Sequence, residues 1–141
     1  MTSFFQKPRK PTSRGEEREQ AKLVMWTHRA DVRALMPSLK WLHHSPNGGK
    51  RDGFTGGQMK ALGVKPGFPD LILPVATAQH PGLALELKSA IGRPSPSQTD
   101  WLWHFELQGW AIGIVRSASE GREALCLYLG IDPGLAPAMD V

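Results

Sequence analysis

Gly67-Phe68-Pro69-Asp70-Leu71-Ile72-Leu73 and Leu83-Ala84-Leu85-Glu86-Leu87-Lys88 are the two stretches that decide how this chain folds. After Asp70 the first is apolar on both faces, the pattern of a buried strand. The second alternates, with Leu83, Leu85 and Leu87 on one face and Ala84, Glu86 and Lys88 on the other. A turn within Ala76 to Pro81 joins them into an antiparallel hairpin with Asp70 opposite Lys88, or opposite Glu86 after a slip of two residues. In either register directly opposed side chains lie roughly 5 Å apart, so two carboxylates and an amine share one small patch. At an effective dielectric of ~20, two ionised carboxylates at that range repel by roughly 3 kcal/mol, which a neighbouring Lys offsets only in part. A divalent cation would reverse the sign. Hard oxygen ligands without Cys or clustered His suit Mg²⁺ or Mn²⁺, and Lys88 is placed to orient a water or to stabilise charge on a phosphate. On composition alone the ordinary alternative weighs more: Glu86 and Lys88 as the wet face of an amphipathic strand, and Asp70 as a turn residue after Gly67 and Pro69.

Upstream, Ser13-Arg-Gly-Glu16 matches a capping box, and Ala21, Val24, Met25, Val32, Leu35 and Met36 keep helical spacing until Pro37. Residues 1–12, with Pro8 and Pro11 among Lys7, Arg9 and Lys10, read as a flexible basic arm. Trp41 to His44 reads as a short edge strand. Ser45 to Gly57 holds five glycines and a proline in thirteen positions, the composition of a long loop. Such loops inside compact domains are often functional. Thr55-Gly-Gly-Gln58 caps a brief helix to Leu62. Downstream, Ser95 with Pro96 and Gln98 opens a helix ending near Gly109, Trp110 to Val115 forms a strand, and Ser117-Ala-Ser-Glu120 caps a last helix that Gly130 stops. The domain is expected to span 13–130, followed by a loose tail over 131–141.

The chain has 141 residues, 40% hydrophobic and 21% charged, enough for one core but not two, and outside the disordered class. No stretch approaches the roughly 18 uncharged apolar residues of a membrane span. No secretory signal is expected at the N-terminus, and Cys126 alone builds neither a disulfide framework nor a Cys-based zinc site. The expected compartment is a reducing cytoplasm, bacterial or that of a phage-infected host. The net charge of +4 is unevenly spread: Lys40 to Lys65 holds five Lys or Arg against Asp52, while from Ser117 on Arg122 stands against four acids. One side of the molecule should attract polyanions, although a merely solvated basic surface explains charge alone equally well.

Taken in order, Glu17-Arg-Glu-Gln20, Pro46-Asn-Gly-Gly-Lys-Arg51, Leu62-Gly-Val-Lys-Pro-Gly-Phe-Pro-Asp70, Leu85-Glu-Leu-Lys88 and Ser97-Gln-Thr-Asp-Trp101 resemble the blocks of the virus-type replication-repair nuclease (VRR-NUC) domain of the PD-(D/E)xK nuclease superfamily. A lone Asp with a later Glu-x-Lys is a weak signal. Five blocks in order over most of the chain make a strong one. The resemblance implies an α/β, restriction-endonuclease-like core: a small mixed sheet flanked by helices. It implies that Asp70 and Glu86 hold Mg²⁺ or Mn²⁺ with the backbone carbonyl of Leu87, and that Lys88 assists the attacking water.

The family also uses an acid of the first helix. Glu17 shares a face with Gln20, Ala21 and Val24, whereas Glu16 fits the capping partner of Ser13, so Glu17 is the first choice and Glu16 the second. Gln98 has two competing jobs, capping its own helix or hydrogen-bonding into the active site. Trp101 and Phe105 are expected in the core. Asn47, Lys50 and Arg51 are expected at DNA phosphates or the edge of the active site. His28, His43 and His44 receive no role.

The implied activity is metal-dependent hydrolysis of DNA phosphodiesters, structure-specific in the manner of a Holliday junction resolvase acting in DNA repair. The rivals are a nuclease-derived DNA-binding module without chemistry, a flap- or end-processing nuclease, and an RNA- or nucleotide-directed hydrolase. By analogy with family members of little more than the nuclease domain, a homodimer on branched DNA is expected, with Trp26 and Trp103, off the main core face, as material for its interface.

Overall fold

The computed structural model describes residues 9–46 and 56–140, with backbone only for 9–14. Helix α1 spans Arg9–Thr27 and α2 spans Ala30–Leu35, followed by a 3₁₀ turn over Pro37–Trp41 and the two-residue strand β1, His43–His44. Then come α3 (Gly56–Ala61), β2 (Leu71–Leu73), β3 (Leu83–Leu87), α4 (Pro96–Leu107), β4 (Ala111–Val115), α5 (Ala118–Tyr128) and a 3₁₀ turn over Pro133–Leu135. The sheet is ordered β1-β2-β3-β4, with β1-β2 and β2-β3 antiparallel and β3-β4 parallel.

Strand pairing sorts the side chains onto two faces. Leu71 lies opposite Leu85 and Leu73 opposite Leu83, so these four leucines share one face with Leu87. Against it pack Leu23 and Trp26 of α1, Val32 of α2 and Leu125 and Cys126 of α5, all buried. Gly121 of α5 permits this approach, since a Cβ there would lie 2.5 Å from Leu23 Cδ2. The opposite face carries Ala84 and Glu86, and both are buried as well. Every residue of β3 is inaccessible, which excludes the wet-face reading of that strand.

Five expectations are corrected. Helix α1 begins at Arg9, not Ser13. Ser13 therefore lies inside the helix and Glu16 has no cap to serve. The helical run does not continue to Pro37: Thr27 Oγ1 bonds back to Val24 O at 2.6 Å and the chain turns before α2. The tail is not loose. The Arg122 guanidinium donates to Pro137 O at 2.9 Å, Pro133 O at 2.7 Å and Ala136 O at 2.9 Å. Trp26 Nε1 donates to Pro137 O at 3.1 Å, and Ala136 joins the core. Trp26 is thus 2% exposed and unavailable to an interface, whereas Trp103 is 62% exposed. Trp41 belongs to the 3₁₀ turn rather than to the edge strand. Among the described residues no helix is long and apolar enough to cross a membrane.

Three carbonyls of the last segment lose a charged donor if Arg122 is truncated. Arg122→Ala should lower unfolding free energy by about 1–3 kcal/mol in urea titrations; an unchanged midpoint would mean that the tail contributes nothing to the fold.

Candidate active site

The hairpin adopts the slipped register: Leu71 pairs with Leu85, which sets Asp70 across from Glu86 rather than Lys88. Its loop is fixed from outside the hairpin. The Tyr128 hydroxyl donates to Val75 O at 2.6 Å, and His80 Nδ1 lies 2.8 Å from Gly109 O.

Glu86 is 1% exposed, and its two oxygens differ. Oε2 accepts from Gln98 Nε2 at 2.6 Å and lies 3.7 Å from Lys88 Nζ. Oε1 is buried without a hydrogen-bond partner. Burial, then the negative charge of Asp70, push the Glu86 carboxyl up from its ordinary value of 4.5 to about 8, against the opposing pull of Lys88. Asp70 Oδ2 accepts from the Leu87 N–H at 2.8 Å, a bond that also fixes the Leu87 backbone beside the acid pair.

Gln98 performs both jobs that the sequence set in competition, because its amide has two ends. Its Oε1 accepts from Ser95 N at 2.8 Å and its backbone N–H donates to Ser95 Oγ at 3.3 Å, completing the capping box. The Nε2 end is left for Glu86. The approach of α4 to the acid pair depends on Gly67. Its φ is +86°, and a Cβ there would sit 2.5 Å from Ser97 C. Only glycine meets both conditions.

The first-helix acid that reaches this region is Glu16. Its Oε2 accepts from Ser89 N, one residue past Lys88, at 3.1 Å. Glu17 is exposed and forms no hydrogen bond or ion pair among the described residues. With the helix starting at Arg9, Glu16 lies two turns before Leu23 on the buried stripe, and Glu17 is rotated off it. Glu19, on the same side, accepts from Ala118 N at 2.8 Å.

Two further residues carry roles that sequence reading missed. His44, on the edge strand, has Nδ1 2.7 Å from Asp70 O; a carbonyl only accepts, so the ring donates and braces the Asp70 backbone. Arg116 donates to the carbonyls of Ser89 and Gly92, closing the turn that follows Lys88. Trp101 and Phe105 are half-buried rather than core. They gather around Phe68, with centroids 4.9 and 5.8 Å away, and Trp101 Nε1 donates to Pro66 O at 3.0 Å. Asn47, Lys50 and Arg51 lie outside the described residues.

The donor set fits a hard divalent cation. A buried carboxylate oxygen without a partner, next to a second carboxylate, is a costly arrangement that a cation would relieve. Among the described residues no cluster of three or more His, Cys, Asp or Glu forms.

The fold is mixed α/β, a small four-stranded mixed sheet flanked by helices, and it is shared with a solved nuclease-family structure. A solved structure described as "VRR_NUC domain protein" aligns with a TM-score of 0.68 at 23% sequence identity, covering 83% of this chain and 89% of that one. The resemblance carried by the five sequence blocks is thus met by the fold. No family model and no curated protein matches the chain.

A carboxyl whose folded pKa lies above its unfolded value favours the folded state most below about pH 4.5, and that contribution fades as pH rises toward about 8. Glu86→Gln keeps an oxygen for Gln98 and turns an amide toward Asp70. In EDTA at pH 8 it should therefore be more stable than wild type, by at least about 1 kcal/mol, with the gap closing toward pH 5. A variant no more stable at pH 8 would show that the buried carboxylate is not strained.

Proposed function

We propose that this chain is a Mg²⁺- or Mn²⁺-dependent DNA nuclease whose active site is built on Asp70, Glu86 and Lys88. The observation that carries the reading is the partnerless Glu86 Oε1 buried beside Asp70; the shared fold supports it. Asp70, Glu86 and the Leu87 carbonyl would hold the cation, which supplies Lewis-acid activation of water and charge neutralisation at the scissile phosphate. The Leu87 N–H and the Gln98 amide each fix one oxygen of the pair, leaving the remaining oxygens for binding. Lys88, with its side chain 12% exposed, is placed to orient or deprotonate the attacking water and to offset charge on the phosphate. Glu16 and Arg116 hold the turn after Lys88 from opposite ends and so set where the amine points.

The substrate proposed is branched DNA cut by a homodimer, which would present two sites to two strands as a four-way junction requires. Trp103 at 62% and Leu107 at 70% exposure on α4 supply apolar area for such an interface. Lys50 and Arg51 are proposed to contact phosphates.

Asp70→Ala and Glu86→Ala should each abolish cleavage in Mg²⁺ or Mn²⁺ while leaving the circular-dichroism spectrum unchanged; either one cutting at the wild-type rate would sink the site assignment. On a substrate panel, a dimer by light scattering should make paired incisions in four-way junctions. A monomer preferring flaps or free ends would discard the junction reading and keep the nuclease.

Lys50→Ala with Arg51→Ala should weaken binding to all sequences alike and flatten the dependence of affinity on salt by about 0.9 per lost phosphate contact on duplex DNA. An unaltered salt slope would take this loop out of the DNA path.

A further inference from the structure

A cavity of about 890 Å³ opens between α3, the Val64–Pro66 segment and α4, and none of the chemistry above uses it. Its lining is of two kinds. Met59 and Trp101 give an apolar wall, and Lys60 and Lys65 are exposed cations that form no hydrogen bond or ion pair among the described residues. His104 and Asp100, both exposed on α4, complete the described polar lining with Ser97. The Trp101 ring is held in place by its N–H bond to Pro66 O and its edge contact with Phe68, so it is fixed before any ligand arrives.

The cavity adjoins the acid pair. Pro66 and Ser97 line it; their neighbours Gly67 and Gln98 meet backbone to backbone, and the Gln98 amide reaches Glu86. The two sites therefore lie on either side of one contact between the loop before β2 and the N-terminus of α4.

We infer that this groove binds a single-stranded DNA segment beside the scissile phosphate, with a base on Trp101 and phosphates on Lys60 and Lys65. The inference rests on the nuclease reading for its orientation toward Asp70 and Glu86. A duplex offers a protein its backbone and groove edges, whereas an aromatic wall inside a cavity of nucleotide dimensions takes a base that is already unstacked. Two lysines on the same rim, without a partner among the described residues, call for an anion along the strand. Asp100 repels phosphate, so the strand's backbone lies toward the lysines.

The test is binding by the full-length chain in EDTA, where cutting does not interfere. The probes are a short oligothymidylate and a blunt duplex, followed by anisotropy over a salt series. Lys60→Ala with Lys65→Ala, both at exposed positions, should bind the single strand roughly tenfold more weakly. Its salt slope should be shallower by about 1.4, or about 0.7 for each phosphate lost. Duplex affinity should stay within about twofold, since neither lysine is assigned to duplex. Trp101→Phe retains an aromatic ring and should bind within a few-fold of wild type while losing most of the fluorescence quenching by oligothymidylate. An unchanged salt slope, an equal loss on the duplex, or quenching that survives in Trp101→Phe would each overturn the groove. Because no cleavage is scored, a chain that binds in this way but never cuts would keep the groove and discard the nuclease.

Discussion

The buried Glu86 carboxylate is the constraint around which the rest of this molecule is arranged. It is reached from α4 by Gln98 and stands beside a second carboxylate with one oxygen unsatisfied. A core of leucines would be more stable there. The chain tolerates the arrangement because the opposite face of the same strands is wholly apolar, with Leu71, Leu73, Leu83, Leu85 and Leu87 packed on α1, α2 and α5. Hydrophobic burial on one side of a five-residue strand thus offsets electrostatic strain on the other.

That arrangement also explains why so many supports of the site come from far along the chain. Gln98, the Leu87 N–H and the His44 ring each fix one atom of the acid pair or its backbone, and Glu16 and Arg116 clamp the turn past Lys88. Three elements, β1, β3 and α4, therefore converge on the acid pair, while α1 and the residue after β4 hold the turn beside it. A carboxylate held by one hydrogen bond per fixed oxygen cannot rotate to relieve its repulsion, so the charge is concentrated where a cation would sit.

The alternation in Leu83 to Lys88, the Pro69-Asp70 strand entry, the capping box at Ser95 and the N-cap at Ser117, where the Glu120 side chain serves Arg116 N instead of Ser117 N, are local signals, and each leads to the observed element. The register was less legible. The segment from Pro74 to Gly82 is too long for turn chemistry to pin, and what pins it is Tyr128, tens of residues later. Ser13-Arg-Gly-Glu16 has the form of a capping box, which favours Glu17 over Glu16 for the site; the helix begins at Arg9, so the box is never used. The burial of Trp26 and the ordering of the Pro/Gly-rich tail have one cause that sequence does not display. Arg122 and Trp26 satisfy tail carbonyls across the molecule, and such long-range pairing leaves no periodic trace. Both roles of Gln98 are legible in the sequence, and the fold shows that one amide serves them together.

Gly67 shows how tightly the candidate site is coupled to the surface around it. The same contact that lets α4 deliver Gln98 to Glu86 also seats Ser97 and Trp101 beside Pro66. A side chain at Gly67 would push α4 outward, which would lengthen the Gln98–Glu86 bond and separate Trp101 from Pro66 in one movement. Acid pair and groove are consequently not independent inventions on a common scaffold. They are two sides of one backbone crossing.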